Sequence, residues 1–379
     1  MAEHIGGGIR WCLLSLTLIF ALAVCVCVLS TCMHTGSAFL EPQDRNPSWA
    51  PDSTQLAFVC YRRQRVETRF GYQYLGPYDG LEGYKLKEIC VSDLDGSNRR
   101  QLTDNLAMDF DPSWSPDGTQ ITFVSNRDTS EGANIYVMQR DGTNPVNLTR
   151  HAAGYRQPRW SPDGDTIVFI RGNVGGDLYA MVVYGSQVAR LTEVGWILDF
   201  DWSPDGESIV FSGGDASEPE IYVVDIEDGS MIRLTYNQVS DFEPVWSPDG
   251  RQIAFSSRRE DGVQVYVMDV QTREEVRISE GPDPSWGASW SPDGRFLAYI
   301  SGSRGGPNQT LRILDIETGI LTDFSDFQAL DRCLWSPNSE YLVYERTEDW
   351  NEDGFGETKI RILRVDDGTE WAVSSTEMD

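Results

Sequence analysis

The nine residues Asp349-Trp350-Asn351-Glu352-Asp353-Gly354-Phe355-Gly356-Glu357 have the types and spacing most suited to chemistry. Asp349, Asn351, Asp353 and Glu357 put oxygen donors at positions 1, 3, 5 and 9, and Gly354 allows a sharp bend at position 6. That spacing wraps a loop around a hard cation such as Ca²⁺, with the carbonyl of Phe355 as a further ligand. The plain alternative is an acidic glycine turn. Strand-like segments flank the loop, so it reads as a hairpin connection rather than a helix-loop-helix, and a bound Ca²⁺ would be structural.

A second group is acidic. Asp109, Asp111, Asp199, Asp241 and Glu243 stand a few residues ahead of recurring tryptophans, where other copies of the pattern carry Asp44, Tyr155, Gln157 and Arg332. Such an uneven ring of side chains suits a binding mouth, and Tyr155 and His151 are candidates to line it. Acids that cap turns and accept from backbone amides are the structural alternative. A third group lies in the stretch from Tyr61 to Lys87, where Arg62, Arg63, Arg65 and Arg69 accompany Phe70, Tyr72, Tyr74, Tyr78 and Tyr84. Arginine and tyrosine are favoured in contact surfaces, so Arg62, Arg63, Tyr72 and Tyr74 are candidate binding residues for a protein or glycan. The alternative is a loop folded back on its own acidic body. Cys60 and Cys90 flank this insertion, and a disulfide between them would close its base in an oxidising compartment; Cys333 would stay free.

Catalysis has little to work with. Of three histidines only His151 lies beyond residue 38, no Gly-x-Ser-x-Gly nucleophile elbow occurs, and carboxylate pairs on so acidic a chain are weak signals. The reading is therefore not an enzyme and no organic cofactor. Asp and Glu outnumber Lys and Arg by 59 to 31, a net charge of -28 that opposes nucleic acid and anionic lipid.

Residues 11–33 form a nearly unbroken apolar run with Arg10 before it and Glu41 and Asp44 after it. This predicts a membrane-crossing helix with a cytoplasmic N-terminus and an exported remainder. Residues 1–38 are thus a signal anchor or signal peptide. Cleavage after Ala38, or lipidation at Cys32 within Leu29-Ser30-Thr31-Cys32, are the other fates, and residues 39–46 serve as a linker.

What positions these groups is a repeat. Trp49, Trp114, Trp160, Trp202, Trp246, Trp290 and Trp335 are separated by 65, 46, 42, 44, 44 and 45 residues, and five of them open an intact Trp-Ser-Pro-Asp-Gly. Pro presets the backbone, Asp bonds its own chain and Gly accepts positive φ, so each copy makes a turn between two strands. A period in the forties built from strand-length segments signals a β-propeller of four-stranded blades. In the second unit Pro112-Ser113-Trp114 is expected to enter the first strand, and 120–125, 134–138 and 146–149 to form the second, third and fourth, with Asp141-Gly142 turning the third into the fourth. The insertion falls between the second and third strands of the first unit. The first and last turns, Ala50-Pro51-Asp52-Ser53 and Ser336-Pro337-Asn338-Ser339, lack the glycine.

The Trp-Ser-Pro-Asp-Gly cores, with Ile-Ala-Phe, Ile-Tyr-Val and Leu-Thr strands, resemble the TolB-like propellers and their WD40-like PD40 repeat. The resemblance covers residues 47–379 and implies an all-β, seven-bladed propeller of four-stranded antiparallel blades after one N-terminal hydrophobic helix. It is unspecific for function, since that family contains periplasmic scaffolds, sugar or peptide binding modules and the gating domains of peptidases. Together these readings give a membrane-tethered, extracytoplasmic binding or scaffold module for a protein, peptide or cell-envelope glycan. The alternative is an accessory propeller gating an enzyme on another chain, with a carbohydrate-active or peptidase-related enzyme further behind.

Overall fold

The computed structural model describes residues 46–62, 65–68, 71–74, 86–128, 132–150, 154–172, 175–184, 187–304, 308–327, 332–348 and 357–373. All lie in one compact unit, Asp44–Asp379. The apolar N-terminal run, His151 and Asp349 to Gly356 fall outside the described residues, as do the side chains of Arg62, Arg63, Tyr72, Tyr74 and Glu357.

Seven four-stranded antiparallel sheets follow one another along the chain. We number them blades 1 to 7 and call their strands a to d from the channel outward. Blade 2 has strands Asp109–Trp114, Gln120–Ser125, Asn134–Gln139 and Val146–Asn147. Strand a therefore begins earlier than the tryptophan alone suggests. Blade 1 receives the insertion between strands b (Gln55–Arg62) and c (Leu86–Asp93), and a separate hairpin, Arg65–Thr68 with Gly71–Tyr74, forms within it.

The core is not central but divided into seven layers, one between each pair of blades. Alternation along strand b explains this. Ile253 and Phe255 enter the layer facing blade 4, whereas Ala254 between them enters the layer facing blade 6. Successive strand residues point to opposite faces, so a large-small-large pattern gives each blade a bulky face that fits the slim face of its neighbour. Blades 2 to 5 reinforce the bulky face with a stacked cross-strand pair: Phe123–Tyr136, Phe169–Tyr179, Phe211–Tyr222 and Phe255–Tyr266. Each fully buried phenylalanine of this kind contributes about 2–3 kcal/mol relative to exposure.

The repeated tryptophan closes the same joints. The indole N–H groups of Trp49, Trp160, Trp202 and Trp335 donate to the carbonyls of Leu334, Ser113, Arg159 and Ser289 in the preceding blade. The turn glycines Gly118, Gly164, Gly206 and Gly250, all at positive φ, face Pro51, Pro116, Pro162 and Pro204 of the preceding turn. Ser53 and Ser339, at the glycine position of the first and last blades, adopt the same left-handed conformation, with φ 58° and 62°. Their hydroxyls accept from the backbone N–H of Asn338 and Asp293 respectively, so each substitution adds a bond between neighbouring turns, Ser53 where the ring meets itself and Ser339 between blades 6 and 7.

Candidate functional site

Strand a of each blade lines the channel, and it carries the acids singled out by the sequence. They lie inside the strand rather than before it. In blades 2, 3, 5 and 6 the pairing with strand b slips by bulges at residues 110–113, 156–159, 242–245 and 286–289. Asp111, Gln157 and Glu243 sit in these bulges at φ 52°, 51° and 55°, and Asn46 takes the same conformation in blade 1. Each of the four is followed by proline, which has no N–H to leave orphaned at the slip.

At Gln157 and Gly287 a left-handed residue turns its amide sideways, and the preceding blade supplies the acceptor. Asp111 Oδ2 accepts from the Gln157 N–H at 2.9 Å while its other oxygen accepts from the Asn46 amide. Glu243 Oε2 accepts from the Gly287 N–H at 3.1 Å, and Asp201 Oδ2 from the Trp246 N–H at 3.0 Å. Asp111 and Glu243 are thus inter-blade ties. Asp109 and Asp241 are fully buried: Asp109 meets Arg127 at 2.9 Å and Asn105 at 2.7 Å, and Asp241 accepts from Ser257 at 2.5 Å and Asn237 at 2.8 Å. Tyr155 packs into the layer between blades 2 and 3, edge-on to Phe169.

Asp199 is different because two arginines from other blades meet it, one of them from across the ring. Arg332 of blade 7 reaches its Oδ2 at 2.5 Å, and Arg159 of blade 3 reaches its Oδ1 at 3.0 Å. Arg159 also stands 3.7 Å from Asp201 and stacks over Phe200. Blade 7 is thereby bonded directly to blade 4 across the ring. Burial pushes Asp199 upward, but Arg332 and Arg159 outweigh it and hold the carboxyl below the usual range. For Asp201 burial prevails over Arg159 and raises the carboxyl to about 6. Chemically these acids act as hydrogen-bond acceptors and counter-ions for the scaffold. Sequence reading passed over Arg159, although an arginine there is unusual, since the same repeat position holds Ser48, Ser113, Val245, Ser289 and Leu334.

The two faces of the ring differ. One carries only the a–b turns and c–d hairpins, tight and repetitive. The other carries the b–c connections and the loops between blades, where Leu106 is 83% and Tyr236 74% exposed, together with Met108, Trp196 and Leu198, whereas the exposed apolar groups of the turn face are Tyr184, Ile316 and Ile320 on the c–d hairpins of blades 3 and 6. The Trp196 ring lies against Gly175, where a Cβ would come within 2.8 Å of it. The strand ends Arg62 and Leu86 of blade 1 and Glu348 and Glu357 of blade 7 lie at this same loop face. A cleft of about 330 Å³ beside Asp117, Trp160 and Tyr184 lies on the turn face, and one of about 360 Å³ beside Tyr236 and Arg259 on the loop face. Among the described residues no group of three or more His, Cys, Asp or Glu is placed to hold a metal ion.

Comparison with known proteins places the fold. No curated protein matches the chain. A putative TolB from Agrobacterium tumefaciens shares 24% identity over 64% of this chain and 91% of that one, with a TM-score of 0.50. The propeller of the Trilobed protease from Pyrococcus furiosus, described as having an open velcro topology, shares 15% identity over 88% and 95%, with a TM-score of 0.60. A puromycin-hydrolyzing peptidase of Mycobacterium tuberculosis shares 14% identity over 89% of this chain but only 53% of its own, with a TM-score of 0.66. Residues 81–196 and 194–355 match the TolB beta propeller domain PD40, and the chain belongs to that family.

Proposed function

We propose that the chain is a non-catalytic binding or scaffold module that engages a protein or peptide partner through its loop-bearing face, held outside the cytoplasm by residues 11–33. The propeller fold supports a binding or scaffold role. The observation that carries the reading is the set of exposed groups on the loops between blades, Leu106, Met108, Trp196, Leu198 and Tyr236, beside which the turn face exposes Tyr184, Ile316 and Ile320 on two c–d hairpins. Apolar and aromatic groups on a rigid frame are the usual anchors of a protein interface, and the acids of the channel are already committed to the scaffold. The Cys60–Cys90 disulfide supports placement in an oxidising compartment. A Ca²⁺ bound by Asp349 to Glu357 would stiffen a loop of the same face.

A photo-reactive amino acid placed at Leu106 in cells is expected to give a reproducible adduct with one species. The same probe at Val276, exposed on an outer strand, should give none, and Tyr236→Asp with Trp196→Asp should abolish the Leu106 adduct. Equal labelling from both positions, or an adduct indifferent to the double substitution, sinks the proposal.

A further inference from the structure

Six of the seven joints between blades are also joined by the running chain. The seventh, between blade 7 and blade 1, is not. Blade 1 is built wholly from Ser48–Trp49, Gln55–Arg62, Leu86–Asp93 and Arg100–Gln101, and blade 7 from Cys333–Trp335, Tyr341–Glu348, Glu357–Arg364 and Glu370–Ala372. No described strand crosses from one to the other. The joint rests on side chains: the Trp49 and Trp371 indoles donating to Leu334 and Leu94 carbonyls at 3.1 and 2.6 Å, the Ser53 hydroxyl, and a buried layer.

That layer departs at one point from the four layers that hold a stacked pair, and blades 6 and 7 depart there too, with Tyr299 opposite Arg312 and Tyr344 opposite Arg361. Phe58 of blade 1 occupies the position of Phe123, Phe169, Phe211 and Phe255, but the residue opposite it is Cys90, where blades 2 to 5 have the stacked tyrosine. Cys90 is bonded instead to Cys60, two residues beyond Phe58 on the same face, with 5.8 Å between their Cα atoms. Both sulfur-bearing residues belong to the layer shared with Val343, Ile360 and Ile362 of blade 7, at 2% and 0% exposure. Between them in sequence lies the insertion, and strands b and c stay paired up to it, as far as Arg62 opposite Leu86. The joint without a chain connection is thus also the one whose layer holds, among the described residues, a disulfide where blades 2 to 5 have an aromatic pair.

We infer that the Cys60–Cys90 disulfide is an oxidative lock for the ring, and that the chain is a substrate for thiol-disulfide exchange with a disulfide donor that completes the blade 1 to blade 7 joint. One cysteine thiolate attacks the donor's disulfide and forms a mixed disulfide; the second cysteine displaces the donor as a dithiol. Two electrons and two protons pass from the cysteine pair to the donor. Cys333, buried in the layer between blades 6 and 7, has its thiol pushed up to about 12 by burial and does not compete for the donor once folded. The need for an oxidising compartment rests on the proposed export, whereas the lock itself is a property of the purified chain.

Hydrogen exchange of the purified protein separates the two. In a Cys60→Ala, Cys90→Ala chain, amides of Tyr341–Glu348 and Glu357–Arg364 in blade 7 should exchange at least tenfold faster, while those of blades 3 to 5 keep their rates. A Cys60→Ser, Cys90→Tyr chain copies the Ser125 and Tyr136 of blade 2 and should restore protection of blade 7 without a disulfide. Acceleration confined to blade 1, or spread evenly over all blades, overturns the lock. Should the double-alanine chain not fold, the Ser/Tyr chain decides: blade 7 protected upholds the lock, blade 7 unprotected overturns it. Recovery of fully oxidised protein from the cytosol would count against export alone.

Discussion

Asp199 gathers two guanidinium groups from two other blades, and that makes it the residue on which the channel interior depends. A buried carboxylate is tolerable only when paired and hydrogen-bonded, and here each oxygen has its own arginine. Asp199→Asn would leave Arg159 and Arg332 facing a neutral amide, at a cost of about 3 kcal/mol. Arg332→Met leaves the carboxylate still held by Arg159, and Arg332 is itself 41% exposed, so its loss should cost about 1–2 kcal/mol. Urea unfolding of both variants checks the order; a larger loss for Arg332→Met would show that the cross-ring bond is organised around the arginine. Asp199 and Arg332 stood out in the sequence because they break the repeat. Their pairing did not, since it joins residues 133 apart in sequence whose meeting depends on how far the ring curves.

At the scale of the element, the turns were legible and the bulges were not. Trp-Ser-Pro-Asp-Gly carries its own conformational instructions, so copies of it announce a strand, a turn and a second strand without reference to anything distant. The bulge residues Asp111, Gln157 and Glu243 have side chains with no intrinsic need for a left-handed backbone, and only the neighbouring blade's amide and carboxylate make that conformation worth about 1–3 kcal/mol of strain. The proline after each was the visible mark. The c–d hairpins allow a sharper test. Gly142 and Gly229 both have positive φ, at 89° and 70°, but a Cβ on Gly142 would lie 2.8 Å from the Leu102 carbonyl oxygen of blade 1, whereas Gly229 faces nothing within 4 Å. Gly229→Ala should therefore cost about 1 kcal/mol, the backbone term alone, and Gly142→Ala about 2–3 kcal/mol as the hairpin is pushed from blade 1. Calorimetric melting of the two single variants measures the difference, and equal losses would mean that the blade 1 contact yields without resistance.

For the whole molecule the excess of acid sets a direction that the burial of particular carboxyls makes specific. Glu88 is fully buried on strand c of blade 1, accepting from Thr103 Oγ1 at 2.7 Å and the Asn105 N–H at 3.2 Å. Burial outweighs these bonds and raises its carboxyl from 4.5 to about 7; Asp201 moves the same way, to about 6 from 3.8. A carboxyl whose folded value is raised favours folding while protonated in both states and loses that advantage as pH climbs from the unfolded value to the folded one. At about 1.4 kcal/mol per unit, Glu88 withdraws at most about 3 kcal/mol between pH 4.5 and about 7. The turn carboxylates act oppositely. Ser115, Ser161, Ser203 and Ser247 hold Asp117, Asp163, Asp205 and Asp249 below the ordinary 3.8, so their contribution is lost only as pH falls through that range. The melting temperature should therefore peak near pH 4–5 and decline toward pH 8. Glu88→Gln isolates the cause, because Gln264 of blade 5 and Asn134 of blade 2 make the equivalent bond to Ser279 and Thr149 with a neutral amide. The variant should melt lower than the parent at pH 4.5 or equal to it, and higher at pH 8. A parent and variant with parallel pH profiles would place the acid preference in the summed surface charge of -28 and not in this buried carboxyl.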